Sequence, residues 1–188
     1  MNDPQIRALL KSTALGQYAQ DAHTIILDEL SLPVAGARID VAVVNGSLHG
    51  FEIKSGSDGL SRLGYQIEAY KKVFDFVTVV TEQIHTPKVI ALLPKWVGVS
   101  VCSDVIDVVR EPAQNNEVEG FFLAQLLFRS EMLDLLKCKN IQHNKSSRNW
   151  ILCETIASNM AVTDVSDSVR EVIKTRARPT TKASSPLE

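Results

Sequence analysis

The sequence has no excess of basic residues. Its 20 Lys or Arg face 22 Asp or Glu, for a formal charge of -2. That balance excludes a protein held on nucleic acid by bulk charge alone. Cysteine is scarce: Cys102, Cys138 and Cys153 lie far apart and form no C-x-x-C pair, which argues against a zinc ribbon and predicts three unbridged thiols. The four histidines are equally scattered, and no H-E-x-x-H or H-x-x-x-H helix face exists to build a histidine zinc site. Apolar runs are too short to span a bilayer. The opening MNDPQIRALLKS lacks a signal peptide's basic start and continuous apolar core. The expected location is therefore the cytoplasm, with no membrane as partner.

What remains is an ordinary globular composition, 45% hydrophobic and 22% charged over 188 residues, enough for one domain with extra helices. Residues 3 to about 18 read as a helix, capped by Asn2 or Asp3 and started by Pro4, with Ile6, Leu9, Leu10 and Leu15 as its apolar stripe. HTIILDEL is a β-rich run, and Pro33 and Gly36 mark a loop after it.

RIDVAVVNGSLHGFEIKS reads as strand, Asn-Gly turn, strand. Its register follows from burial. A two-residue loop would put the apolar rows of the two strands on opposite faces. A three-residue loop, Asn45-Gly46-Ser47, pairs Val41 with Phe51 and Ile39 with Ile53. Ile39, Val41, Val43, Phe51 and Ile53 then share one core face. That register sets Asp40 across from Glu52 on the other face, with Lys54 beside them. Two opposed carboxylates make a hard oxygen site suited to Mg²⁺ or Mn²⁺. A lysine two residues along can orient a metal-bound water or stabilise charge developing on a phosphate. By the same register His49 falls on the apolar face and reads as a packed residue.

The next segment, SGSDGLSRLGYQIEAYKKVFD, reads as a helix capped by Ser57 or Asp58, with Arg62, Gln66 and Tyr70 along one flank. FVTVVT is a strand buried on both faces. VGVSVCS and VIDVVR add two more strands, with a short helical segment around Pro87 before them. Strands interleaved with helices predict an α/β fold with a mixed central sheet flanked by helices.

Asp40, followed by Glu52-Ile53-Lys54 on the next strand, resembles the core of the PD-(D/E)xK nuclease superfamily. Gln66-Ile67-Glu68-Ala69-Tyr70 resembles the Q-x-x-x-Y helix motif of its RecB-like branch. The whole segment resembles a group of small bacterial nuclease-like proteins over about residues 1 to 105. Ile39 stands where the superfamily name has proline. The resemblance implies a restriction-endonuclease-like core and a Mg²⁺-dependent deoxyribonuclease in repair, recombination or defence. It implies Asp40 and Glu52 as metal ligands, the Ile53 backbone carbonyl as a third, and Glu29 as a candidate additional ligand. Lys54 would be the catalytic base or water-orienting group. Gln66 and Tyr70 would support the site or contact nucleic acid, and Arg62, Arg38 and Ser55 complete the candidate contacts. Two rival readings stand beside this one. One is a catalytically inactive nucleic-acid-binding or protein-interaction module on the same scaffold. The other is the nuclease subunit of a larger complex, with a partner protein or a second copy.

Beyond Gly120 the pattern turns helical: FFLAQLLFRSEMLDLLK, NWILCETIASNM and SDSVREVIKTRA each read as a helix. The expected layout is a core over residues 1–110, a helical extension over 111–175 and a flexible polar tail over 176–188. From Lys137 to Lys182 nine Lys or Arg face four Asp or Glu, so this part is predicted to face DNA while the remainder is acidic.

Overall fold

The structure is a computed structural model that describes residues 1–18 and 20–177. Helix α1 (Asp3–Ser12) is capped by Asn2, whose side chain accepts the Gln5 N–H while the Gln5 side chain accepts the Asn2 N–H. The helix stops short of residue 18. Thr13 leaves helical φ/ψ and donates its hydroxyl back to the Leu9 carbonyl, and a 3₁₀ turn over Gly16–Tyr18 follows.

Six strands form one mixed sheet: β1 (Ile25–Leu32), β2 (Ala37–Val44), β3 (Leu48–Lys54), β4 (Phe76–Glu82), β5 (Gly98–Cys102) and β6 (Ile106–Arg110). They lie in sequence order. The first three are antiparallel, β3, β4 and β5 are parallel, and β6 returns antiparallel on β5. Each parallel step needs a crossover, supplied by α2 (Leu63–Tyr70) and α3 (Thr86–Leu92). This is the mixed sheet with flanking helices that the sequence predicts. Among the described residues, no helix is long and apolar enough to cross a membrane.

The β2–β3 register is the one that burial demands, with Val41 opposite Phe51 and Val44 opposite Leu48 around the three-residue loop. Val41, Val43, Phe51 and Ile53 pack with Ile6, Leu10 and Leu15 of the N-terminal segment on one face. Ile39 departs from the expected pattern. It joins the opposite cluster with Ala42, Val44, Ile67, Tyr70 and Phe74. The cause is a local break in strand alternation: between the Asp28–Val41 and Leu30–Ile39 pairs, Glu29 lies unpaired opposite Asp40 and takes a positive φ of 54°. Ile39 consequently lies over Gly50, where an added Cβ would meet Ile39 Cγ1 at 3.1 Å and Phe74 Cδ1 at 3.2 Å.

Two predicted helices differ in extent. Residues 56–62 form turns rather than the start of α2, because Asp58 is used to accept the Ser55 N–H and hydroxyl, both at 2.7 Å. The run from Phe121 to Lys137 is two helices, α4 (Gly120–Ala124) and α5 (Arg129–Cys138). Phe128 turns to extended φ/ψ between them, and its N–H is capped by the Glu131 carboxylate at 2.6 Å. Helices α6 (Asn149–Asn159) and α7 (Val162–Ala177) are the last elements among the described residues. Leu152, Ile156, Val165, Val169 and Ile173 from these helices share one hydrophobic cluster with Ile39, Val77 and Val99 of the sheet. The C-terminal helices are thus part of the core's wall. Most of the predicted tail, residues 178–188, lies outside the described residues.

Candidate functional site

The site forms where the β2–β3 ladder ends. Pairing stops at Val41 and Phe51, and beyond it the Asp40 carboxylate, not a backbone carbonyl, accepts the Ile53 N–H at 2.8 Å. Asp40 is therefore brought beside Glu52 at the open end of the hairpin rather than as a regular cross-strand pair. Asp40, Glu52, Ile53 and Lys54 line a cavity of about 740 Å³ together with Gln66, Arg62 and Arg38.

Glu52 is almost wholly buried, with 2% exposure, and its carboxylate is held from three directions. Oε1 accepts from Lys54 Nζ at 2.7 Å and from Gln66 Nε2 at 2.6 Å. Oε2 lies 2.6 Å from the Tyr70 hydroxyl, which also lies 2.8 Å from the Arg38 carbonyl. Burial of the hydroxyl, followed by the neighbouring Glu52 charge, pushes the Tyr70 pKa up, so it stays a donor. Lys54 Nζ makes a second bond to Gln66 Oε1 at 3.0 Å. An ammonium has three N–H groups, so one remains for a ligand. Gln66 and Tyr70, one helical turn apart on α2, thus grip the two ends of the Glu52 carboxylate.

Asp40 is the electrostatically costly member. Burial first and the Glu52 charge second raise its pKa from 3.8 to about 7. Its other oxygen faces Arg7 of α1 at 3.5 Å. Arg7, only 17% exposed at its side chain, also meets Asp3 at 3.0 Å, Glu29 at 3.6 Å and Asp28 at 3.8 Å. Burial works to lower its pKa, but Asp3 first, then Asp40 and Asp28, outweigh it and the guanidinium is held above its ordinary value.

Glu29 is not brought into the carboxylate pair. Its carboxylate is turned to Arg7 and to Arg38 at 2.9 Å, and it does not line the cavity. Ser55 is committed to Asp58 and also stays out of the lining. Arg38 and Arg62 sit at the rim with Tyr65. Sequence reading missed Arg7 and Tyr65, whose helical positions carry no motif. Their one signal is chemical: a basic residue one turn after Asp3 on the N-terminal helix, and an aromatic one position before Gln66. His49 is a packed residue as expected: its ring stacks on Phe51 at 4.1 Å and meets Thr78 Oγ1 at 2.9 Å. Burial lowers its pKa to about 4.

The residues fit a divalent cation by the chemistry of their donors. Asp40 and Glu52 offer hard oxygens, and each carboxylate keeps an acceptor position beyond the bonds described. Among the described residues, no group of three or more His, Cys, Asp or Glu gathers in ligating geometry, so an ion here would rest on two carboxylates, backbone and water.

The predicted C-terminal basic face is only partly present. Arg170 pairs with Asp75 and Asp167, Lys174 with Glu171, and Arg176 with Glu131 while lying over the Phe128 ring. Lys137, Lys139, Lys145 and Arg148 are exposed around the α5–α6 connection. Arg178 and Lys182 lie outside the described residues.

Fold and site together define a mixed α/β protein with a buried carboxylate–lysine centre at an open hairpin end. The chain belongs to the family of bacteriophage P4 protein cII, whose sequence model matches residues 2–184. It is similar to Protein cII of Enterobacteria phage P4, with 31% identity over 160 residues and 82% of this chain covered. The match takes in 60% of that relative's length. The solved structure of the SPO1766 protein of unknown function from Silicibacter pomeroyi aligns at a TM-score of 0.49 and 14% identity, covering 78% of this chain and 99% of that one. None of these names states an activity.

Proposed function

We propose that the protein is a metal-dependent nuclease of the PD-(D/E)xK type, hydrolysing phosphodiester bonds of DNA in the cytoplasm. The observation that carries this reading is the convergence of Glu52, Lys54, Gln66 and Tyr70 in one hydrogen-bonded cluster beside Asp40 at the base of the cavity. A buried carboxylate is tolerated only when paired and hydrogen-bonded, as Glu52 is by Lys54, Gln66 and Tyr70. Here the hydrogen bonds fix it in place while an acceptor position stays open. A Mg²⁺ or Mn²⁺ ion, when bound, supplies a Lewis acid and a water acidified toward neutral pH.

The chain's own groups then have distinct tasks. Asp40 and Glu52 would hold the cation, with the Ile53 backbone carbonyl as a candidate third ligand beside them. Lys54 Nζ, anchored by Glu52 and Gln66, directs its remaining N–H to the attacking water or the phosphate oxygen. Gln66 and Tyr70 are positioning residues that keep Glu52 from rotating. Arg38 and Arg62 at the rim neutralise the flanking phosphates. The test is incubation of the purified protein with plasmid, linear, single-stranded and branched DNA. Cleavage in Mg²⁺ or Mn²⁺ that EDTA abolishes is the expected result. Intact substrates in every condition would reject the reading.

A further inference from the structure

We propose that the site takes single-stranded nucleic acid, with Tyr65 as the specificity-determining platform on which an unpaired base stacks; this rests on the nuclease reading above. The first support is depth. Glu52 and Lys54 are 2% and 9% exposed, so the reacting groups lie on the floor of the cavity rather than on an open surface. A paired duplex is stiff, with a persistence length of about 150 base pairs, and its phosphates lie along a convex rod that cannot dip to that floor without deformation. A single strand can bend one phosphate inward.

The second support is the rim. Tyr65 is 61% exposed, among the most exposed large side chains of the protein. It projects from α2, and its hydroxyl donates to the Ala35 carbonyl at 3.3 Å, on the loop before β2. That bond links the exposed ring to the segment before β2, which lines the same cavity. Ala35 keeps a positive φ of 57° in presenting that carbonyl. Arg38, at the start of β2, is 58% exposed at its side chain and shares its charge with Glu29 at 2.9 Å, and Arg62 lines the cavity just before α2. An exposed aromatic ring in a cavity also lined by two guanidinium groups suits a strand bound without reading its sequence: bases stack on the ring, and the cations follow the backbone.

The experiment is fluorescence anisotropy with a labelled single-stranded oligonucleotide and with the same strand in a duplex, in EDTA and again in Ca²⁺, for the wild type, Tyr65→Ala and Tyr65→Phe. Circular dichroism confirms that each variant is folded. The single strand is expected to bind at least tenfold tighter than the duplex. Stacking contributes about 1–3 kcal/mol per base in alanine substitutions, so Tyr65→Ala should weaken single-strand binding by about 5- to 150-fold. Tyr65→Phe keeps the ring and should stay within about twofold of the wild type, because stacking does not use the hydroxyl. Equal or tighter duplex binding would overturn the proposal, as would an unchanged Tyr65→Ala. A Tyr65→Phe loss as large as that of Tyr65→Ala would also overturn it, since the hydroxyl bond to Ala35 would then be the whole role. Absence of cleavage with this binding pattern intact would reject the nuclease reading and leave single-strand recognition standing.

Discussion

Replacing Asp40 by Asn isolates the electrostatic penalty built into the site. The variant keeps a side-chain oxygen to accept the Ile53 N–H, and it removes only the ionisable group. In the folded wild type the Asp40 pKa is raised from 3.8 to about 7, chiefly by burial and then by Glu52. A raised folded pKa means that Asp40 weakens the native state progressively as pH climbs from about 4 through about 7, where the carboxyl must ionise. Three units correspond to about 4 kcal/mol at the ceiling. The side chain is 20% exposed, and water there reduces the penalty, so about 2–4 kcal/mol is the working range. Urea denaturation of both proteins at several pH values from 4.5 to 8.5 reads it directly. Asp40→Asn should gain relative to wild type across that window, by about 1–2 M in midpoint at a slope of about 2 kcal/mol per M. Groups distant from Asp40 cancel in the difference, whereas Glu52 and Arg7, coupled to it, contribute to what is read. Mg²⁺ should then close the gap by stabilising the wild type, because the ion binds the native carboxylate pair. Parallel stability curves for the two proteins at every pH would refute the reasoning, since Asp40 would then be an ordinary solvated carboxylate.

Three further predictions rest on separate contacts. Gly50→Ala places a Cβ 3.1 Å from Ile39 Cγ1 and should destabilise the fold by about 1–3 kcal/mol in a thermal melt. Because Ile39 adjoins Asp40, the same change should also reduce any cleavage rate. The His49 imidazole, with its pKa lowered to about 4, should titrate near that value by NMR. A depressed histidine pKa means its contribution is complete above pH 6.5 and is lost as pH falls toward 4, up to about 3 kcal/mol; an NMR midpoint near 6.5 would contradict the packing described. Arg7→Gln removes a cation 3.5 Å from Asp40 and should tighten Mn²⁺ binding several-fold by calorimetry, while weakened binding would make Arg7 a scaffold for Asp40 instead.

The hairpin register was legible because burial of Val41, Val43, Phe51 and Ile53 on one face admits a single solution, and the structure has it. That register also located Asp40, Glu52, Lys54 and Gln66 around one cavity. Ile39 was misplaced because strand alternation is broken opposite Glu29, a backbone feature at a non-glycine residue that no local pattern announces. The split between α4 and α5 was hidden for a related reason. The apolar spacing is continuous through Phe128, and only the Glu131 cap on its N–H reveals the stop. Charge counting overstated the C-terminal basic face, since Arg170 and Arg176 find acids far away in sequence, Asp75 and Glu131. Arg7 reaches Asp40 across 33 positions, and tertiary structure alone shows that contact.

Glu52→Gln asks most directly whether Glu52 is the anionic ligand of the proposed cation. Gln preserves the volume and can still accept from Lys54, but it removes the anionic ligand. Wild type and variant are compared for Mn²⁺ affinity by calorimetry, for single-stranded DNA binding and for cleavage in the same buffer. The expected result is a folded variant that binds the strand, loses Mn²⁺ affinity and cuts at least about a hundredfold more slowly, the scale seen when a group acting at the reacting centre is removed. Undiminished cleavage by Glu52→Gln would show that the chemistry lies elsewhere in the molecule.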